Sequence, residues 1–89
     1  MTRYRRHADI RLTALEGEGV VLHMGARRYF TVNETGLTIL EALTQPQSFA
    51  QLVDAVTAEY EVTQEKAEQS VKAFVDQCVA SAVIIEESA

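Results

Sequence analysis

The stretch VVLHMGARRYFTVN, residues 20–33, decides the fold of this 89-residue chain. Two runs rich in β-branched and aromatic residues, 20–24 and 27–32, flank the pair Gly25-Ala26. Such runs around a Gly-X pair predict a β-hairpin with a type II′ turn, because glycine accepts a positive φ at the first central position.

An alternating run on the N-terminal side adds another strand to this hairpin. Ile10, Leu12 and Ala14 alternate with polar residues, and the turn-like segment 16–19 separates them from residue 20. The sequence therefore predicts an antiparallel meander of three strands. The third strand, at 27–32, is expected to have one free edge.

From Asn33 onward the apolar residues recur at helical spacing. Asn33 and Thr63 are predicted N-caps, and Ser48 with Gln51 forms a predicted capping box. The first helix should end before Pro46, because the residue preceding a proline is disfavoured in the α region. The apolar stripe of the third helix comprises Ala67, Val71, Phe74, Val75, Cys78, Val79 and Ala82. Residues 83–85 have the composition of a short final strand.

This order of elements predicts an α+β fold in a single domain spanning residues 1–89. The arrangement is winged-helix-like, with a three-stranded antiparallel sheet followed by a three-helix bundle. Apolar residues make up 47% of the chain and charged residues 24%, which is typical of a globular domain. A single cysteine excludes an intrachain disulfide and favours a reducing, cytoplasmic setting. No apolar run is long enough to predict a membrane span.

Residues suited to catalysis or metal binding are few and scattered. His7, His23 and Cys78 are the only soft metal ligands, and they lack zinc-site spacing. Cys78 lies on the apolar stripe of the third helix, which favours a buried, inert thiol. We therefore predict a non-enzymatic protein without a metal or cofactor.

The charge distribution bears on nucleic-acid binding, which a winged-helix shape would suggest. Residues 1–32 hold six arginines against three carboxylates, a net charge of +3, whereas residues 33–89 hold two lysines against ten carboxylates, a net charge of −8. Helices that read DNA need basic residues to neutralise phosphates. We therefore expect no nucleic-acid or membrane partner, and a DNA-binding winged-helix regulator is kept as an alternative from another functional class.

Several stretches together resemble the PQQ-biosynthesis protein D family, although no single motif is diagnostic. The resemblance covers about residues 9–85. It rests on the stretches GVVL (19–22), RYFTVN (28–33), Gly36, ILEAL (39–43), SFAQLV (48–53), EYEV (59–62), Ala67 and VKAFVD (71–76).

The resemblance implies a recognition element for the leader segment of ribosomally made, later modified peptides. It implies that the leader adds as a strand between the third strand and the third helix and is presented to a separate processing enzyme. A leader peptidase of a lasso-peptide pathway is favoured, with a chaperone of the PQQ precursor peptide as the alternative. The residues then expected to contact the peptide are Arg28, Tyr29, Phe30, Thr31, Val32, Val71, Lys72, Val75, Asp76, Cys78 and Val79.

Two finer expectations concern this cleft. Val75 is expected to border it, so that Val75→Glu would weaken peptide binding in a folded domain. A two-residue loop would make Met24 and Arg27 a hydrogen-bonded pair, and such pairs recur at every second residue. The amides expected at the free edge are then those of Arg28, Phe30 and Val32.

Overall fold

The computed structural model describes residues 2–88, which form three helices and two antiparallel sheets. The elements in chain order are β1 (Thr2–Arg6), β2 (Ile10–Leu15), β3 (Glu18–His23), β4 (Arg28–Asn33), α1 (Glu34–Ala42), α2 (Phe49–Glu59), α3 (Gln64–Ala80) and β5 (Ile84–Ser88). The mixed α+β class and the three helices agree with the prediction. No helix within residues 2–88 is both long enough and apolar enough to cross a membrane.

The three-stranded sheet has the order β2-β3-β4, which confirms the predicted meander. Leu22 is the partner of Tyr29, and Val20 is the partner of Thr31, as expected from the sequence. Alternation assigns each strand two faces. Val21 and Phe30 lie on the face that packs on the helices, whereas Tyr29 lies on the opposite face.

A second, two-stranded sheet corrects the predicted architecture. β1 and β5 pair antiparallel, with Thr2 opposite Ser88. An ion pair between Arg5 and Glu87 joins the two strands. The arginine-rich N-terminus was not predicted to form a strand, because β1 lacks an apolar alternation and its partner residues lie 78 to 86 positions away.

All three predicted helix starts are confirmed. The Asn33 side chain accepts a hydrogen bond from the Gly36 amide at 2.8 Å. Ser48 and Gln51 form both bonds of the capping box, and Thr63 caps α3. Each cap satisfies an amide that has no partner inside its helix.

The core lies between the inner face of the three-stranded sheet and the three helices. Its fully buried side chains include Ile39, Leu40, Leu52 and Val71. β5 enters this core through Ile84, which is 1% exposed. The two-stranded sheet is therefore anchored by apolar burial as well as by backbone pairing.

The predicted type II′ turn is wrong. Residues 24–27 form a four-residue loop, in which the left-handed residue is Arg27 (φ 55°) and Gly25 has no positive φ. The Arg27 amide donates to the Met24 carbonyl at 3.3 Å, but the Met24 amide donates to the Asp9 carbonyl at 3.0 Å, so Met24 and Arg27 do not exchange the two hydrogen bonds that a two-residue loop requires. Loops of this length are commonly built around type I turns.

Helix α3 ends in a Schellman motif, which places Ala82 in the left-handed region (φ 60°). The Val83 amide donates to the Cys78 carbonyl at 2.9 Å, and the Ala82 amide donates to the Val79 carbonyl at 3.1 Å. Glycine is usual at this position because a Cβ makes the conformation unfavourable. The motif turns the chain into β5.

We expect Ala82→Gly to raise the free energy of unfolding by about 0.5–1 kcal/mol, because it relieves the left-handed alanine. Ala73→Gly is the matched control, since Ala73 is exposed within α3. It should lower the free energy by about 1 kcal/mol. Urea unfolding followed by circular dichroism measures both, and equal signs for the two variants would contradict the assignment of the Schellman motif.

Candidate functional site

An open groove of about 270 Å³ lies between β4 and α3. Its lining residues are Val21, Phe30, Thr31, Val32, Asn33, Phe74, Gln77, Cys78, Ser81 and Val83. β4 is the last strand of its sheet, so one side of the groove is a strand edge. The arrangement combines unpaired backbone groups with an apolar floor.

Helix α3 contributes a single stripe to the groove. Phe74, Gln77, Cys78 and Ser81 are spaced i, i+3, i+4 and i+7, which places them on one side of a helix. The core-facing stripe lies beside it and includes Val71 and Val75. Cys78 belongs to both stripes, since it lines the groove and is only 7% exposed.

The structure brings together four of the residues expected to contact a peptide: Phe30, Thr31, Val32 and Cys78. The others lie outside the lining. Arg28 and Tyr29 are exposed on β4, and Val79 is exposed on α3. Lys72 and Asp76 form an exposed ion pair at 3.0 Å.

Val71 and Val75 belong to the core instead of the cleft. Val71 is 0% exposed and Val75 is 2% exposed, and both belong to the main hydrophobic cluster. The expectation that Val75 borders the cleft is therefore wrong. The rotation of α3 about its axis points the Val75 side chain toward the core between the helices.

Sequence reasoning missed six lining residues: Val21, Asn33, Phe74, Gln77, Ser81 and Val83. Phe74 could have been predicted as a groove residue, because it lies at the margin of the apolar stripe. Gln77 and Ser81 continue that margin by helical spacing, but their polar character hid them. Val83 could not be found, since its position depends on the Schellman turn.

The free edge of β4 carries a different set of amides from the set predicted. The Met24 amide bonds to the Asp9 carbonyl on the β2 side. The backbone N–H and C=O groups of even-numbered residues of β3 therefore point toward β2, and those of odd-numbered residues point toward β4. The residues of β4 that pair with the odd set are Arg28, Phe30 and Val32. The N–H and C=O groups of Tyr29 and Thr31 therefore face the free edge.

The predicted partners of β4 were right, but the hydrogen-bonding alternation was inverted. A two-residue loop and a four-residue loop both align His23 with Arg28. They differ in which pairs exchange hydrogen bonds. The four-residue loop makes this pair the first bonded one, which shifts the alternation by one residue.

The shape of the groove at its α1 end depends on Gly36. A Cβ at this position would lie 2.7 Å from Cε1 of Phe74 and 3.1 Å from Cβ of Val32. The absent side chain lets the Phe74 ring lie against α1. At the other end of β4, the Arg28 guanidinium lies 5.2 Å from the centre of the Phe30 ring, within range of a cation–π interaction.

Burial raises the pKa of the Cys78 thiol to about 11. The thiolate is the reactive form of cysteine, so this thiol is almost entirely protonated and unreactive at neutral pH. Among residues 2–88, no group of three or more His, Cys, Asp and Glu side chains has a geometry that could hold a metal ion. The groove presents a strand edge and a partly apolar surface, which suit non-covalent contact with an extended, partly apolar segment.

The buried position of Val75 predicts a large loss of stability in Val75→Glu. An uncompensated carboxylate in the core should lower the free energy of unfolding by several kcal/mol, comparable to the whole stability of a small domain. Gln77→Glu, two residues further along α3 on its exposed side, should remain folded. Thermal unfolding followed by circular dichroism compares them, and a cooperative, parent-like transition in Val75→Glu would contradict the core assignment.

The raised pKa of Cys78 predicts slow alkylation. At pH 8 a thiol of pKa about 11 has roughly one hundredth of the thiolate of an unperturbed cysteine. Iodoacetamide should therefore modify the native protein at least about a hundredfold more slowly than the urea-unfolded protein, as followed by mass spectrometry. Equal rates would show that the thiol is not buried.

A family model and two solved structures match this chain. Residues 18–84, more than half of the chain, match the family model described as coenzyme PQQ synthesis protein D. No curated protein matches the sequence.

Two solved structures share the fold. "TbiB1 in Complex with the TbiA(beta) Leader Peptide" is 22% identical, with a TM-score of 0.80, and the match covers 90% of this chain and 93% of that one. "Lasso peptide synthetase B1 complexed with the leader peptide" is 24% identical, with a TM-score of 0.74, and the match covers 92% and 96% of the two chains.

Proposed function

Because this chain belongs to the coenzyme PQQ synthesis protein D family, we propose that it binds the leader segment of a ribosomally made precursor peptide in the groove between β4 and α3. The leader adds as a strand to the free edge of β4. It is then presented to a separate processing enzyme, for which a leader peptidase of a lasso-peptide pathway is favoured. Both similar solved structures are complexes with leader peptides.

The observation that carries this proposal is the coincidence of a free strand edge with a groove lined by both apolar and polar side chains. The backbone groups of Tyr29 and Thr31 face the edge, whereas the side chains of Phe30 and Val32 lie on the inner face and line the groove. An added strand uses such an edge for direction and register, and its alternate side chains enter the pockets beside it.

Energetics assigns different roles to the two parts of the groove. Each backbone hydrogen bond to the leader contributes only about 0.5–1.5 kcal/mol net. Ordering one residue of a flexible peptide costs about 1–2 kcal/mol. The hydrogen bonds therefore roughly offset the ordering cost.

Affinity then has to come from apolar leader side chains. Each side chain that is fully buried against the groove contributes about 1.5–3 kcal/mol. Phe30, Val32, Phe74 and Val83 supply the apolar contact surface for them. The edge thus sets the alignment of the leader, and the floor sets its selectivity.

Hydrogen exchange tests the mode of binding. In the free protein the amides of Phe30 and Val32 should already exchange slowly, because they face β3. Adding a synthetic leader of the lasso-peptide precursor that this chain recognises should slow the amides of Tyr29 and Thr31, as measured residue by residue by NMR. Unchanged exchange at both amides under saturating peptide would contradict strand addition at this edge.

Filling the groove tests its location. Gln77→Trp places a large side chain in the groove from an exposed position on α3, and it should weaken binding of a fluorescein-labelled leader at least tenfold in an anisotropy titration. Gln69→Trp is the matched control, because Gln69 is an exposed glutamine of the same helix outside the lining. Equal affinities for the two variants would place the peptide elsewhere. Saturable binding of duplex DNA without leader binding would favour the regulator alternative.

A further inference from the structure

The outer face of the three-stranded sheet carries a concentrated set of exposed apolar side chains. Within residues 2–88, six large apolar side chains are exposed, and four of them lie on this sheet or in its loop: Leu15, Leu22, Met24 and Tyr29. Leu22 and Tyr29 are direct cross-strand partners, and Met24 follows Leu22 by two residues. Tyr29 is 75% exposed, which is unusual for so large an aromatic side chain.

This face lies outside both the core and the groove. Alternation along β4 places Phe30 and Val32 on the inner face and Tyr29 on the outer face. Helix α1 packs against β3 and β4 from the inner side. A leader strand added at the edge of β4 would leave the outer face open.

Basic residues flank the apolar side chains at one end of this face. Arg11 is the cross-strand partner of Leu22, and Arg27 lies in the loop that leads to Tyr29. Both arginines are exposed, with Asp9 as the acidic residue near this end. Residues 33–89, by contrast, carry a net charge of −8.

We infer that this face, defined by Arg11, Leu22, Met24, Arg27 and Tyr29, docks the processing enzyme through an acidic surface surrounding an apolar side chain. Apolar contact at the centre with complementary charge around it is the usual composition of a protein interface. The inference rests on the proposed function, because it assumes that a bound leader is delivered to an enzyme.

The position of Tyr29 gives the docking a further consequence. Its backbone faces the edge that would bind the leader, and its side chain belongs to the docking face. Leader and enzyme would thus contact the same strand from two directions. Because the added strand would reduce the mobility of β4, the enzyme would contact a more rigid β4 when the leader is bound.

The strands β2, β3 and β4 have six residues each, so their outer face spans only roughly 20 Å by 10–15 Å, which favours a hetero-complex over a stable homodimer. Interfaces of stable dimers bury about 800 Å² or more per partner. A second copy would also bring a second set of the same arginines into the contact. A transient enzyme contact fits this area and charge better.

The test measures two affinities for each variant. Arg11→Glu reverses a charge on the docking face without touching the core, and Leu22→Thr removes the apolar centre while keeping a good strand former. Lys66→Glu is the control, because it makes the same charge change at an exposed position on α3. The probes are the fluorescein-labelled leader and the leader peptidase that cleaves the same precursor, the latter immobilised for biolayer interferometry.

We expect both docking-face variants to bind the leader within twofold of the parent and the peptidase at least tenfold more weakly, with Lys66→Glu unchanged in both. Peptidase binding by the parent should also weaken as salt rises. Parent-like peptidase binding by both variants would overturn the inference. A dimer seen by sedimentation velocity and lost in Leu22→Thr, with peptidase binding intact, would overturn it in favour of a second copy. Failure of the parent to bind the leader at all would instead overturn the proposed function.

Discussion

The close approach of α1 to its neighbours at two glycines is the constraint on which the rest of the structure depends. A Cβ on Gly19 would lie 2.9 Å from Cδ1 of Leu37, and a Cβ on Gly36 would lie 2.7 Å from Cε1 of Phe74. The first contact lets α1 lie close to the sheet, and the second lets the Phe74 ring lie against α1. A side chain at either glycine would displace Val32 or Phe74, which line the groove.

Helix α3 serves the core and the groove with adjacent stripes of one surface. Ala67, Val71 and Val75 are buried among the other helices, whereas Phe74, Gln77 and Ser81 line the groove. Because the two stripes lie side by side on one helix, a core substitution that rotated α3 about its axis would also reorient the groove stripe. A change in stability would then be accompanied by a change in the shape of the groove.

Local chemistry was predictable from the sequence, whereas features that depend on distant pairing were not. The caps at Asn33, Ser48 and Thr63 act within three residues, and all were correctly predicted. The pairing of β1 with β5 has no local signal. The four-residue loop, with Arg27 in the left-handed conformation, inverts the predicted alternation of hydrogen-bonded pairs along β4. The sequence favours the left-handed conformation at Gly25 instead. The general location of the groove followed from the family resemblance, but half of its lining depends on the rotation of α3 and on the turn at Ala82.

The β1–β5 pair also bears on the order in which the fold forms. Its strands close a loop of nearly the whole described chain, whereas β2 and β3 are joined by a two-residue turn. Long loops carry the larger closure entropy, so we expect this pair to form late and to open early in native-state fluctuations. Val83 leads into β5, and its carbonyl accepts the His7 amide at 2.9 Å. The rigidity of the groove wall at Val83 therefore depends on the pairing of β1 with β5.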